Sequence, residues 1–175
     1  MCGRYVMSLS LVQLEALFGK LDRLNFPPTW NAAPTQALPI IRLGRQADFR
    51  LTNVRWGLVP HWSKTGPDGS KPLINARSET AHQKPSFRAA FKKRRCLVLA
   101  DGFYEWQKLL RGKQDWNFRR PHPQPFAFAG LWESWQGPGQ PQGLLSATIL
   151  TTTPNECARP VHDRMPVILG ADAWP

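Results

Sequence analysis

The chain has 175 residues, 42% of them hydrophobic and 20% charged, enough for one domain with its own core, which excludes wholesale disorder. Its 17 prolines argue against long helices. Lys and Arg number 23 against 12 acidic residues, a formal charge of +11, so the choice is between a polyanionic partner and a merely solvated basic surface.

The amino-terminal stretch MCGRYVMSLSLVQLEALF is interrupted by Ser8, Ser10, Gln13 and Glu15 and lacks the apolar centre of a secretory signal. No apolar run approaches the ~20 residues needed to cross a bilayer. Cys2, Cys96 and Cys157 are odd in number and far apart, which encodes neither a disulfide framework nor a zinc knuckle and fits a reducing cytosol. The expectation is a cytoplasmic protein with no membrane segment and no metal site.

Leu11, Leu14, Leu17 and Phe18 fall at helical spacing after Ser8 and Ser10, which can cap, and Gly19 stops the pattern. This predicts a short amphipathic helix over 11–18. The runs ALPIIRL (37–43) and FRLTNVRW (49–56) are spaced as strands of a meander. Residues 78–91 contain Pro85 and can form only a short or broken helix. CLVLAD (96–101), PFAFAGLW (125–132), LLSATILTT (144–152) and RMPVIL (164–169) supply four further strands. Residues 108–125 and 137–143 read as surface excursions, the second a turn, and Trp56, Trp106 and Trp132 are assigned to packing. The sum is an α+β domain of mainly antiparallel strands.

Four separated segments gather polar groups beside turns: MCGR, PLINARSET, ADGFYEW and PVHDRMPVIL. Cys2 follows Met1, and a residue this small permits Met removal, leaving a thiol and a free α-amine on one residue. That amine, with a pKa of about 7.7–8.0, is on the order of one-tenth neutral at pH 7. Arg4 is a nearby cation that could favour the thiolate; the alternative is an incidental cysteine at a frayed terminus. Glu105 sits among Phe103, Tyr104 and Trp106, where desolvation would raise a carboxyl pKa and suit it to proton transfer, unless it merely faces outward from a strand. His162 precedes Asp163, a carboxylate that can hold an imidazole for acid–base work or serve a purely structural histidine. Asn75 and Arg77 are two apart, so in an extended segment they share a face and could hold a sugar and a phosphate.

MCGRY, WNAAPTQ (30–36), RWGLVPHWS (55–63), PLINARSET (72–80), RRCLVLADGFYEW (94–106), FAGLWE (128–133) and VHDRMPVIL (161–169) occur together in an order and spacing that strongly resemble the SOS response-associated peptidase (SRAP) family. The resemblance implies one domain over 1–175 with a mainly antiparallel, barrel-like sheet and a few short helices, stopping before the family's C-terminal segment. It implies a monomer of the DNA damage response that shields abasic sites in single-stranded DNA on the nucleoid by covalent attachment. Its lyase-type chemistry needs no metal or organic cofactor, and a self-processing peptidase step would expose Cys2. It also implies that Cys2 is the crosslinking residue, with Asn75, Glu105 and His162 completing the catalytic set. Arg4 and Arg77 would hold phosphates, and Asn31, Trp62 and Thr151 would line the DNA groove or the floor of the site.

Two other readings of the same residues stay open. One is a cysteine hydrolase acting on an amide, with Cys2 as nucleophile. The other is a non-catalytic module that binds single-stranded nucleic acid through charge and stacking, with Cys2 incidental.

Overall fold

Ser10 begins the first helix because its backbone is extended and its hydroxyl accepts the Gln13 N–H, while Gln13 Oε1 accepts the Ser10 N–H at 2.9 Å. The computed structural model describes residues 2–69, 71–121 and 126–174, and in it this helix, α1 (Leu11–Phe18), ends at Gly19 with φ 75°. That left-handed backbone is one a β-carbon disfavours. Leu14 and Phe18 form its buried face, and Phe18 stacks on Trp174 with ring centroids 4.9 Å apart.

The remainder is mostly strand: β1 (Arg4–Met7), β2 (Thr29–Ala32), β3 (Ala37–Leu43), β4 (Phe49–Trp56), β5 (Asn75–Arg77), β6 (Arg95–Ala100), β7 (Gly102–Lys108), β8 (Lys113–Arg119), β9 (Phe126–Gly137), β10 (Gln140–Thr152), β11 (Met165–Pro166) and β12 (Ile168–Leu169). Residues 78–91 hold two short helices, α2 (Ser78–Ala81) and α3 (Arg88–Lys93), separated around Pro85, the break expected from that proline.

One sheet has the order β2-β1-β7-β8 and is antiparallel throughout. The second runs β11-β10-β4-β3-β6-β9-β12, and because β9 also pairs with β10, the strands β10, β4, β3, β6 and β9 close into a barrel. Closure pairs both edges of what would otherwise be an open sheet. The pairings are antiparallel except where β10 runs parallel to β4 and then to β5. β5 thus takes over from β4 along the same strand, which sets Asn75 opposite Ile149.

Gly130 lets three strands approach. A β-carbon there would stand 2.8 Å from a Val98 methyl and 2.9 Å from Cys96 Sγ, too close without displacement. The first sheet packs on the barrel through Tyr5, which is fully buried and meets the rings of Trp56 at 5.2 Å and Phe128 at 5.7 Å, both edge to face. Burying each such side chain contributes on the order of 1.5–3 kcal/mol. The fold is thus α+β, one barrel with an additional sheet.

Three expectations need correction. Within 108–125 the segment 113–119 is β8, paired along its whole length with β7, and His122 to Pro125 lie outside the described residues, as do Met1, Ser70 and Pro175. Trp106 is 38% exposed, whereas Trp56 is buried, because alternation along β7 turns Trp106 to the face opposite Phe103. RMPVIL is not one strand. Met165 pairs with β10 and Ile168 with β9, and between them Val167 donates to the Leu150 carbonyl at 2.9 Å.

Candidate active site

Cys2 lies two residues before the start of β1, a strand of the interior pair of the first sheet, and is fully buried. β1 and β7 are antiparallel with Arg4 opposite Tyr104, so the chain just before β1 runs beside Glu105. The Glu105 side chain is itself buried, 2% exposed. From the barrel, β5 brings Asn75, whose Nδ2 donates to the Cys2 carbonyl at 2.8 Å. The other amide atom, Asn75 Oδ1, is buried and finds no hydrogen-bond partner among the described residues. Three sequence-predicted residues, Cys2, Asn75 and Glu105, therefore meet where the first sheet packs against the barrel.

The Cys2 thiol is pushed far above its ordinary pKa, first by burial and then by the negative charge of Glu105. Burial alone does the same to Cys96, while Cys157 is exposed. A thiol so placed is held neutral, which disfavours it as the first attacking group.

His162 arrives on the turn-rich segment after β10. Asn155 starts that turn by accepting the Ala158 N–H on its side-chain oxygen at 2.9 Å, and the His162 N–H donates to the Ala158 carbonyl at 3.0 Å. Nδ1 of His162 lies 3.0 Å from the Arg164 N–H and 2.8 Å from Asp163 Oδ1. Nδ1 thus faces both a backbone donor and a carboxylate oxygen. The segment is joined to β7 by Gln107, whose Nε2 donates to the Pro160 carbonyl at 3.0 Å.

The remaining expected residues are distributed around this centre. Arg4 donates to Asn31 Oδ1 at 2.9 Å, which links β1 to the exposed side of β2. Arg77 is exposed at the end of β5. Trp62 is 54% exposed on the loop after β4, its indole N–H directed at the Pro85 carbonyl at 3.4 Å. Thr151 is fully buried, and its carbonyl accepts from Arg164 at 2.6 Å.

Sequence reasoning missed three contributors. Arg164 grips Glu79 through its two terminal guanidinium nitrogens, at 2.8 and 2.9 Å, and ties α2 and β10 to the His162 turn. Gln107 and Trp116 belong to the β7–β8 hairpin, where the Trp116 N–H donates to Gln107 Oε1 at 3.1 Å. A signal existed only for Arg164, which stands two residues after His162. Among the described residues no cluster of His, Cys, Asp and Glu could hold a metal ion, and no helix is long and apolar enough to cross a membrane.

The sequence is similar to two abasic site processing proteins that differ in length. It is 42% identical to YoqW of Bacillus subtilis (strain 168), over 97% of this chain and 76% of that protein. It is 33% identical to HMCES of Xenopus tropicalis, over 86% of this chain and 53% of that one. Crystal structures of a protein from Bordetella bronchiseptica, 27% identical, and of one from Bacteroides thetaiotaomicron, 24% identical, superimpose with TM-scores of 0.84 and 0.87. The first alignment covers 99% of this chain and 86% of that one, the second 98% and 78%. At such identity the second likeness shows the fold alone. The family profile described as SOS response associated peptidase (SRAP) matches residues 1–175, and on that match, with the curated relatives beside it, the chain belongs to the SRAP family.

Proposed function

We propose that this protein processes abasic sites in single-stranded DNA by attaching itself to them through Cys2. The observation that carries the reading is the bond from Asn75 to the Cys2 carbonyl, which fixes the start of the chain beside a buried carboxylate. Similarity to proteins named for abasic site processing and the charge of +11 support DNA as the partner.

The chemistry starts once Met1 is removed, an event at a residue outside those described. The α-amine of Cys2 then attacks the aldehyde carbon of the ring-opened abasic sugar, and loss of water leaves an imine. Sγ adds to the same carbon while its proton passes to nitrogen, closing a five-membered thiazolidine. One C–N and one C–S bond form, the aldehyde oxygen leaves as water, and no oxidant or reductant is consumed. A thiol held neutral by burial suits this order, with the amine first and sulfur second.

Glu105 moves protons during sugar opening and imine formation, and His162 assists at the sugar hydroxyl or ring oxygen. Asn75 holds the terminus, and its buried Oδ1 is an acceptor suited to an amine N–H. Arg4 and Arg77 hold phosphates, and Asn31, Trp62 and Thr151 line the groove and its floor. The protein acts as a monomer in the cytoplasm, on nucleoid DNA during the SOS response, and the family's peptidase activity acts on its own amino terminus.

Intact-mass analysis after mixing the protein with a single strand carrying one abasic site tests this directly. A species at the summed mass minus one water, on a chain lacking Met1, is expected. A mass unchanged by the DNA overturns the covalent reading.

A further inference from the structure

Four tryptophans stand well exposed: Trp30, Trp62, Trp106 and Trp116. Only Trp116 is bound to the buried carboxylate of the site by strand register, since it lies directly opposite Glu105 in the β7–β8 ladder. Side chains of directly opposed residues project to the same face, with β-carbons about 4.5–5.5 Å apart. Trp106, one residue on, points to the other face. Glu105 is buried while Trp116 is 48% exposed, so this pair marks the point where the site opens to solvent along an edge strand.

The indole is also held in place. Its N–H donates to Gln107 Oε1, and the same side chain donates to the Pro160 carbonyl, so the polar end of the ring is satisfied and its orientation is coupled to the His162 turn. What remains exposed is apolar ring. Phe118, opposite Phe103, and Gln114, opposite Gln107, share the face of Trp116, whereas Lys113 and Arg119, three residues away on either side, project to the other face of β8. A held, half-exposed aromatic face on the strand position opposite the buried Glu105 matches how the base of an unpaired nucleotide is held, by stacking on a ring.

We propose that Trp116 is a stacking subsite for the unpaired base next to the abasic sugar. The subsite rests on the covalent abasic-site reading above and extends it, giving the protein a means of keeping the strand in register while the sugar at Cys2 has no base of its own to stack.

The test uses the whole protein and single strands carrying a tetrahydrofuran abasic analogue, which has no aldehyde. The strands either keep both neighbouring bases or replace one neighbour with a base-less spacer. For wild type, removing the base on one side weakens binding roughly tenfold, within the range for loss of one base–aromatic contact. W116A binds the fully based strand more weakly by about the same factor and is indifferent to that base removal. W116F keeps a ring without the indole N–H and stays near wild type.

Equal sensitivity of W116A and wild type to base removal overturns the subsite. So does W116F as weak as W116A, which would assign Trp116 to the Gln107 tether alone. Absence of adduct from wild type on an aldehyde-bearing strand overturns the covalent reading instead, and base dependence on the analogue strand still decides the subsite.

Discussion

Arg164 and Glu79, 85 residues apart, meet in a two-pronged ion pair, Nη1 to Oε1 at 2.8 Å and Nη2 to Oε2 at 2.9 Å. The same Nη2 also reaches the Thr151 carbonyl, so one guanidinium fastens α2, β10 and the turn of His162. Its hydrogen bonds hold the Glu79 carboxyl down to about 2. A carboxylate with a folded pKa below its unfolded value of about 4.3 stabilises the fold above that unfolded value and loses the contribution as pH falls through the folded one.

Glu79→Gln should therefore lower stability at neutral pH, with the gap to wild type closing between about pH 4.5 and 2. The effect is modest, since the Glu79 side chain is 47% exposed and solvent screens the pair. Urea midpoints across pH measure it. A gap that stays constant down to pH 2 would show that the ion pair contributes nothing.

Cys2→Ser keeps the amine and removes sulfur. It should still form an imine that borohydride traps, but no adduct that survives without reduction. Acetylating the terminus, or retaining Met1, should abolish attachment although Cys96 and Cys157 remain. A stable adduct from the blocked protein would return the thiol-only hydrolase reading to first place.

Glu105→Gln preserves shape and removes the proton carrier, so crosslinking should slow by roughly a hundredfold or more while strand affinity survives. The same change removes the negative charge that helps raise the Cys2 thiol pKa. Alkylation of Cys2 should accordingly begin at lower pH in the variant. A purely structural Glu105 would leave the crosslinking rate unchanged.

Arg77→Ala should weaken binding to intact and abasic strands alike and reduce the slope of log affinity against log salt by about one unit. Asn75→Ala behaves differently. It removes the bond to the Cys2 carbonyl, and should slow attachment about tenfold or more at nearly unchanged affinity. Salt titrations of both variants, followed by single-turnover crosslinking, separate holding the strand from holding the terminus.

The elements that could be read from the chain were those with a period or a cap. Ser10, Gln13 and Gly19 bracket α1, and β3 and β4 stand where apolar runs are bounded by Gly and Pro. β8 could not be read this way. Its residues KQDWNFR are exposed at every position but one, so neither face carries an apolar stripe, and it is a strand because β7 offers it a ladder. The Cys2–Asn75 contact is similarly silent in sequence, since it spans 73 positions and depends on β5 following β4 along β10. Cys2, Glu105 and His162, taken singly, each had an ordinary structural reading, and only the joint pattern of motifs grouped them with Asn75. Trp106 was misassigned because a tryptophan among apolar neighbours has the same composition whichever face of the strand it takes.

The pairing of β1 with β7 also bears on timing. Ribosomes add about 5–20 residues per second, and the partner that encloses Cys2 begins at Gly102, so the first residues wait on the order of five seconds or more before they can be covered. The turn with His162 emerges later still. An enzyme that trims the nascent terminus has that interval in which Cys2 is reachable, and once β7 docks, the same residue is inside the protein. Slowing synthesis between β2 and β7 should therefore raise the fraction of chains trimmed during synthesis, while speeding it should leave more molecules to the protein's own amino-terminal processing step.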